Sequence, residues 1–193
     1  GDIELGGEER EVSVLFCDIR GFTSLTEGMA PQEVIEMLNE HMSAMTRVVK
    51  EFQGTVDKFV GDEIMVLFGA PKSYGEDARK AVHCADAMLM ERSRLNLSGR
   101  WKIEIGIGVA TGRVVAGYMG TEQRSNYTVL GDRVNLAARL CGAAPRGHVL
   151  FDRETRDRVV DACPVIPFDA LDLKGFSQAT SVFTLEPSSI AEL

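Results

Sequence analysis

The sequence predicts an α+β fold: a ferredoxin-like βαββαβ core sandwich with a C-terminal α/β extension. Three observations predict it. Short apolar runs and two long stretches with apolar residues at helical spacing follow one another in the order β-α-β-β-α-β. A length of 193 residues suits one domain. With 45% hydrophobic and 26% charged residues, the chain can bury a core without disulfide or metal staples.

Residues 1–10 (GDIELGGEER) lack signal-peptide character and read as a linker, with an upstream regulatory domain expected in the natural chain. Residues 11–19 (EVSVLFCDI) are an apolar run of strand length that ends on an acid. Pro31 opens a helix in which Val34, Leu38, His41, Met45 and Phe52 recur on one face, and Gly54 stops it. Residues 55–60 and 64–68 read as a β-hairpin with Gly61-Asp62 at its tip. Residues 76–95 give the second amphipathic helix. Residues 102–111 alternate as a strand, with a turn at Gly112 and a second strand over 114–119. A helix over 134–141, a strand over 149–151, a helix over 153–160 and a closing pair of strands up to Leu185 complete the domain. The body of the domain is thus 11–186, with 187–193 as a tail.

In a split βαβ sandwich the first and third strands are antiparallel neighbours. The end of the first strand then lies beside the tip of the hairpin, so Asp18 and Asp62 are expected to meet in space.

The charge balance is 21 basic to 29 acidic residues, net −8. A sequence-independent nucleic-acid binder needs a basic excess, so nucleic acid is excluded as a partner class. Cys17, Cys84, Cys141 and Cys163 show no CxxC spacing and no zinc pattern. Buried reduced thiols fit them best, which favours a cytoplasmic setting, with the parent chain open to membrane attachment elsewhere.

Two carboxylates at converging strand ends repel unless a cation sits between them. Hard oxygen donors suit Mg²⁺ or Mn²⁺. Gly21 lets the backbone approach a ligand, and the amides of Gly21, Phe22 and Thr23 open a short helix suited to phosphate. A turn acid at Asp18 with no ligand is the alternative. Lys58 alternates with Val56 and Val60, which suggests an inward-facing donor; an edge-strand lysine is the plainer reading. Asn135 and Arg139 are four apart on one helix face, either a solvated stripe or an amide and a guanidinium facing a phosphoester. His41 reads as packing. Arg153, Arg156 and Arg158 read as a solvated helix offset by Asp152, Glu154 and Asp157.

The segments FCDIRGFTSLTE, DKFVGDEIMVLFGAP and NYTVLGDRVNLAARL, with Leu173-Lys174-Gly175 further on, resemble the class III nucleotidyl cyclases, the adenylyl and guanylyl cyclase catalytic domain. The resemblance covers residues 10–185 and makes 11–186 a catalytic domain of that fold. It implies that Asp18, Asp62 and the Ile19 carbonyl hold two Mg²⁺ or Mn²⁺ ions. It implies that Lys58 and Thr128 read the purine, Asn135 orients the ribose, Arg139 stabilises the transition state, and Lys174 contacts the terminal phosphates. Lysine only donates, which suits adenine N1; guanine N1 carries a proton, and guanylyl cyclases place a glutamate there. Many adenylyl cyclases carry an aspartate where this chain has Thr128. The threonine resembles a bacterial and soluble-type subgroup, some of whose members respond to bicarbonate.

The resemblance therefore implies an adenylyl cyclase in signal transduction that converts ATP to 3′,5′-cyclic AMP and pyrophosphate. The enzyme would be a homodimer with two shared active sites, since both halves of a site are intact in one chain. The alternatives are a guanylyl cyclase and a catalytically silent dimeric nucleotide-sensing module.

Overall fold

The computed structural model of the chain describes residues 5–169 and 180–186. Strand β1 (Gly6–Ile19) runs through the middle of the sheet. The short helix α1 (Phe22–Thr26) and the long helix α2 (Pro31–Glu51) follow. Proline at the start of α2 costs no helical hydrogen bond, because its missing N–H would have had no intrahelical partner there. Strands β2 (Thr55–Val60) and β3 (Glu63–Phe68) form the expected hairpin, and helix α3 (Asp77–Ser98) returns the chain to β4 (Ile105–Thr121). Strand β5 (Arg124–Leu130), helix α4 (Asp132–Ala143), strand β6 (His148–Asp152) and helix α5 (Arg153–Val159) come next. Strands β7 (Val165–Phe168) and β8 (Val182–Leu185) close the described chain.

The eight strands form one sheet in the order β2-β3-β1-β4-β6-β8-β7, with β5 paired to β4 outside that path. The stretch β2-β3-β1-β4 is the ferredoxin-like core, and β1 and β3 are antiparallel neighbours as the sequence predicts. Period-2 alternation divides the core between two faces. Leu15, Cys17, Ile19, Ile64, Val66 and Ile107 pack against α2 and α3. Val12, Val14, Phe16, Met65 and Leu67 pack against α4, with Ala137, Leu140 and Cys141 of that helix. Truncating a fully buried side chain such as Leu15 to alanine costs about 2–5 kcal/mol.

Three local features depart from the sequence reading. The strand expected to start at residue 102 starts at Ile105, because the Asn96 side chain both accepts from the Ile103 N–H (2.9 Å) and donates to its carbonyl (2.7 Å), diverting the approach. Gly112 makes no turn. It lies mid-strand in β4, and a Cβ there would come 2.7 Å from Cγ of Arg133, so the glycine admits the arginine that crosses it. The chain reverses instead between Thr121 and Arg124, and β5 pairs back along β4. The pairing of β1 also reaches back to Gly6, earlier than the apolar run alone suggests. All four cysteines are free thiols, three of them buried.

Candidate active site

Alternation along β1 sends the side chains of Val12, Val14 and Phe16 to the α4 face, and Asp18 continues that series. Strand β1 is antiparallel to β3 with Cys17 opposite Ile64. Continuing this register sets Asp18 across from Glu63 and Ile19 across from Asp62. The Ile19 N–H donates to Asp62 Oδ2 at 3.1 Å, so the hairpin tip is fastened to the end of β1 and the two predicted acids converge. Oxygens of Asp18 and Glu63 and the Cys141 sulfur lie within 4.8 Å of one another.

Glu63 and Cys141 are the residues that sequence reasoning missed. The signal for Glu63 was the β1–β3 register, which a single strand pattern does not supply. Cys141 reaches the site because α4 packs closely on β4: a Cβ at Gly108 would stand 2.2 Å from the Cys141 amide nitrogen. Its sulfur donates to the Gly106 carbonyl at 3.4 Å, and burial pushes the thiol well above its ordinary range. It is a packed thiol and no nucleophile.

Burial raises the Asp18 carboxyl above the usual carboxylate range, against the opposing hydrogen bond and charge of Arg20. Burial also raises Glu63, with further repulsion from Asp18 and Asp62. The Arg20 guanidinium contacts Asp18 Oδ1 through Nη2 and donates through Nη1 to the carbonyls of Gly142 (3.0 Å) and Ala144 (3.2 Å). Three hard carboxylates that repel one another around a single guanidinium fit a divalent cation.

After Arg20 the strand ends. Gly21 adopts a left-handed conformation (φ 66°), and a Cβ there would press on Arg146 Nη2 at 2.9 Å. Phe22 and Thr23 then open α1, where the first amides of a helix have no intrahelical acceptor.

Helix α4 is held at both ends. Near its start Arg133 pairs with the buried Asp152 at 3.0 Å, and Asp152 caps α5 by accepting from the Thr155 N–H at 3.1 Å. At its end stands Arg20. Asn135 and Arg139 share the exposed side of this helix. Residues two apart on a helix are turned about 200° from each other, so Arg139 points away from the side on which Cys141 meets Asp18. Arg139 lines a cavity of about 370 Å³ with Arg133, Asp152 and Arg153. One chain therefore presents the two halves of the predicted site in different directions.

Lys58 corrects one expectation. It does not face inward: a register shift between Val56 and Lys58 breaks the alternation of β2, and its side chain is 55% exposed, 3.7 Å from Asp57. Thr128 is half-buried in β5 opposite Gly117, beside the exposed Met119 and Leu130. Lys174 lies outside the described residues. His41 is fully buried, as the helical period predicts. Among the described residues, no helix is long and apolar enough to cross a membrane.

Residues 7–186 match the family model described as the adenylate and guanylate cyclase catalytic domain. Among solved structures, the adenylyl cyclase CyaB of P. aeruginosa is 34% identical with a TM-score of 0.85, over 95% of this chain and 97% of that one. The guanylyl cyclase Cya2 is 34% identical with a TM-score of 0.82, over 94% of both chains. An adenylate cyclase of Anabaena cylindrica is 37% identical over 152 residues, which is 73% of this chain and 29% of that protein. The chain spans about a quarter of the length of the curated relatives it matches.

Proposed function

Because this chain belongs to the class III adenylate and guanylate cyclase catalytic-domain family, we propose that it is an adenylyl cyclase that works as a head-to-tail homodimer. The observation that carries the reading is the division within one chain: Asp62 meets the end of β1 beside Asp18, which faces Cys141 of α4, and Asn135 and Arg139 stand on the other side of that helix. A second copy related by a two-fold axis completes two equivalent sites.

In this reading the ribose 3′-oxygen of ATP attacks the α-phosphorus, the bond to the β-phosphate oxygen breaks, and pyrophosphate leaves. The proton of the 3′-hydroxyl goes to one of three acceptors: Asp18, solvent or the substrate's own phosphate. Asp18, Asp62 and the Ile19 carbonyl would hold Mg²⁺ or Mn²⁺, two ions per site. When bound, such ions supply Lewis-acid stabilisation of the attacking and leaving oxygens. Arg139 offsets charge developing on the phosphoryl oxygens, Asn135 orients the ribose, and the amides at Gly21, Phe22 and Thr23, with Lys174, hold phosphates.

Lys58 supports ATP, because an ammonium donates to adenine N1 and has no acceptor for the guanine N1 proton. Thr128 both donates and accepts, which makes the base discrimination looser than an aspartate would. A bicarbonate response rests on Thr128, and a flat titration at fixed pH would remove it. The equal identity to the guanylyl cyclase Cya2 favours a second reading, with GTP as substrate. Side-by-side turnover of ATP and GTP with Mn²⁺ decides between them. Faster cyclic AMP formation is expected. Faster cyclic GMP formation would overturn the substrate assignment, and a purified dimer that makes neither would leave a silent nucleotide-sensing module.

A further inference from the structure

We propose that Arg20 is a positioning residue that stands in for a cation at Asp18 and transmits the occupancy of that site to α4. The inference rests on the two-chain reading above.

The guanidinium joins three points. It contacts Asp18 Oδ1, and it donates to the carbonyls of Gly142 and Ala144, the last groups of α4 and its cap. Its side chain is 17% exposed. It lies over Gly106, where a Cβ would come 3.1 Å from the Arg20 Nε. The Arg20 backbone is fixed as well, its N–H donating to the Glu104 carbonyl at 2.7 Å. A planar fork of five donors suits this bridge; a lysine ammonium has no such reach to a carboxylate and two carbonyls at once.

A cation at a helix C-terminus is favourable, so Arg20 has a stable resting place on α4 whether or not it holds Asp18. A divalent ion at Asp18 competes with the guanidinium for the same carboxylate. As the ion enters, the guanidinium gives up Asp18 while its bonds to Gly142 and Ala144 persist, so it turns on its stem at the fixed end of β1 and shifts the end of α4 with it. In the two-fold dimer, Asp18 and α4 of one chain serve different active sites. Arg20 thereby links metal occupancy in one site to the placement of Asn135 and Arg139 in the other. Such a coupling is reciprocal: a nucleotide held by α4 changes the metal affinity at Asp18 of that chain.

The test is Mn²⁺ binding to the purified dimer without nucleotide, read by electron paramagnetic resonance. It compares wild type with Arg20→Ala, Arg20→Gln and Arg20→Lys, each checked for fold by circular dichroism. The neutral variants should bind Mn²⁺ several-fold tighter because the competing charge is gone, and Arg20→Lys should bind as wild type does. A structural role alone would leave affinity unchanged or weaken it, and that result in the folded neutral variants overturns the proposal. In turnover, two ions per site give every form a steep Mn²⁺ response, and wild type should be steeper than all three variants. A wild type no steeper than the variants overturns the link to α4. Binding is read without catalysis: Mn²⁺ binding with no cyclic nucleotide formed would defeat the cyclase reading and leave the Arg20 comparison standing.

Discussion

The Asp62 carboxylate accepts a hydrogen bond from the backbone N–H of Ile19 at 3.1 Å. This bond ties the tip of one hairpin to the end of the central strand. It brings the second acid to the first without a side chain bridging them. It also orders what lies around it, since the same register that sets Asp62 across from Ile19 sets Glu63 across from Asp18.

Asp18→Asn should abolish metal-dependent turnover and weaken Mn²⁺ binding while leaving the circular dichroism spectrum unchanged. The variant should also change the pH dependence of stability. The Asp18 carboxyl is raised by burial above its ordinary 3.8, so the folded chain holds this proton more tightly than the unfolded chain does. The stability it contributes is fully present below 3.8 and is lost as pH rises through the raised value. Across that window the metal-free wild type should lose melting temperature relative to Asp18→Asn, and Mn²⁺ should restore the wild type alone.

Gly108→Ala should displace α4. A Cβ at residue 108 would stand 2.2 Å from the Cys141 nitrogen and 2.3 Å from the Ala137 carbonyl, and both are backbone atoms that cannot turn aside. Overpacking of this kind costs about 1–3 kcal/mol or more. Chemical denaturation should report that loss. Turnover should fall further than stability alone explains, because the helix carries Asn135 and Arg139.

His41 should make the fold acid-labile. Burial first, then the charge of Arg92, lower its imidazole from 6.5 to about 4, and its Nε2 has no partner among the described residues. The unfolded chain therefore binds this proton more readily, and stability falls as pH drops from 6.5 to about 4. The full shift corresponds to about 3 kcal/mol. His41→Gln can still accept from Arg92, which contacts Nδ1 at 3.2 Å, but cannot titrate. The difference in unfolding free energy between wild type and this variant should open across that window and stay flat above it.

Much of the architecture was legible because the chain states it locally. Apolar period separates β1, α2, the β2–β3 hairpin and α3, and the topology they allow forces Asp18 toward Asp62. What was not legible depends on pairing and contact. Glu63 joins the site through a register that involves two strands. Cys141 joins it because Gly108 lets α4 approach the sheet. Gly112 carries the ordinary signal of a turn, yet it serves the crossing of Arg133. Lys58 was misdirected because one register shift in β2 cancels the alternation that pointed it inward. Arg20 follows a candidate ligand and gave no period to read; only its hold on the α4 carbonyls shows its place.

The central claim is that each active site takes its acids from one chain and Asn135 and Arg139 from the other. Arg139→Ala alone should lower kcat by about two to three orders of magnitude, as removal of a transition-state charge stabiliser does. Asp18→Ala alone should be inactive. Mixing the two inactive chains and allowing exchange measures the claim directly. A mixed dimer holds one site with both defects and one with neither, so turnover should return to about a quarter of wild type at equal mixing, by random pairing of chains. No recovery from folded chains that exchange would contradict the shared-site account.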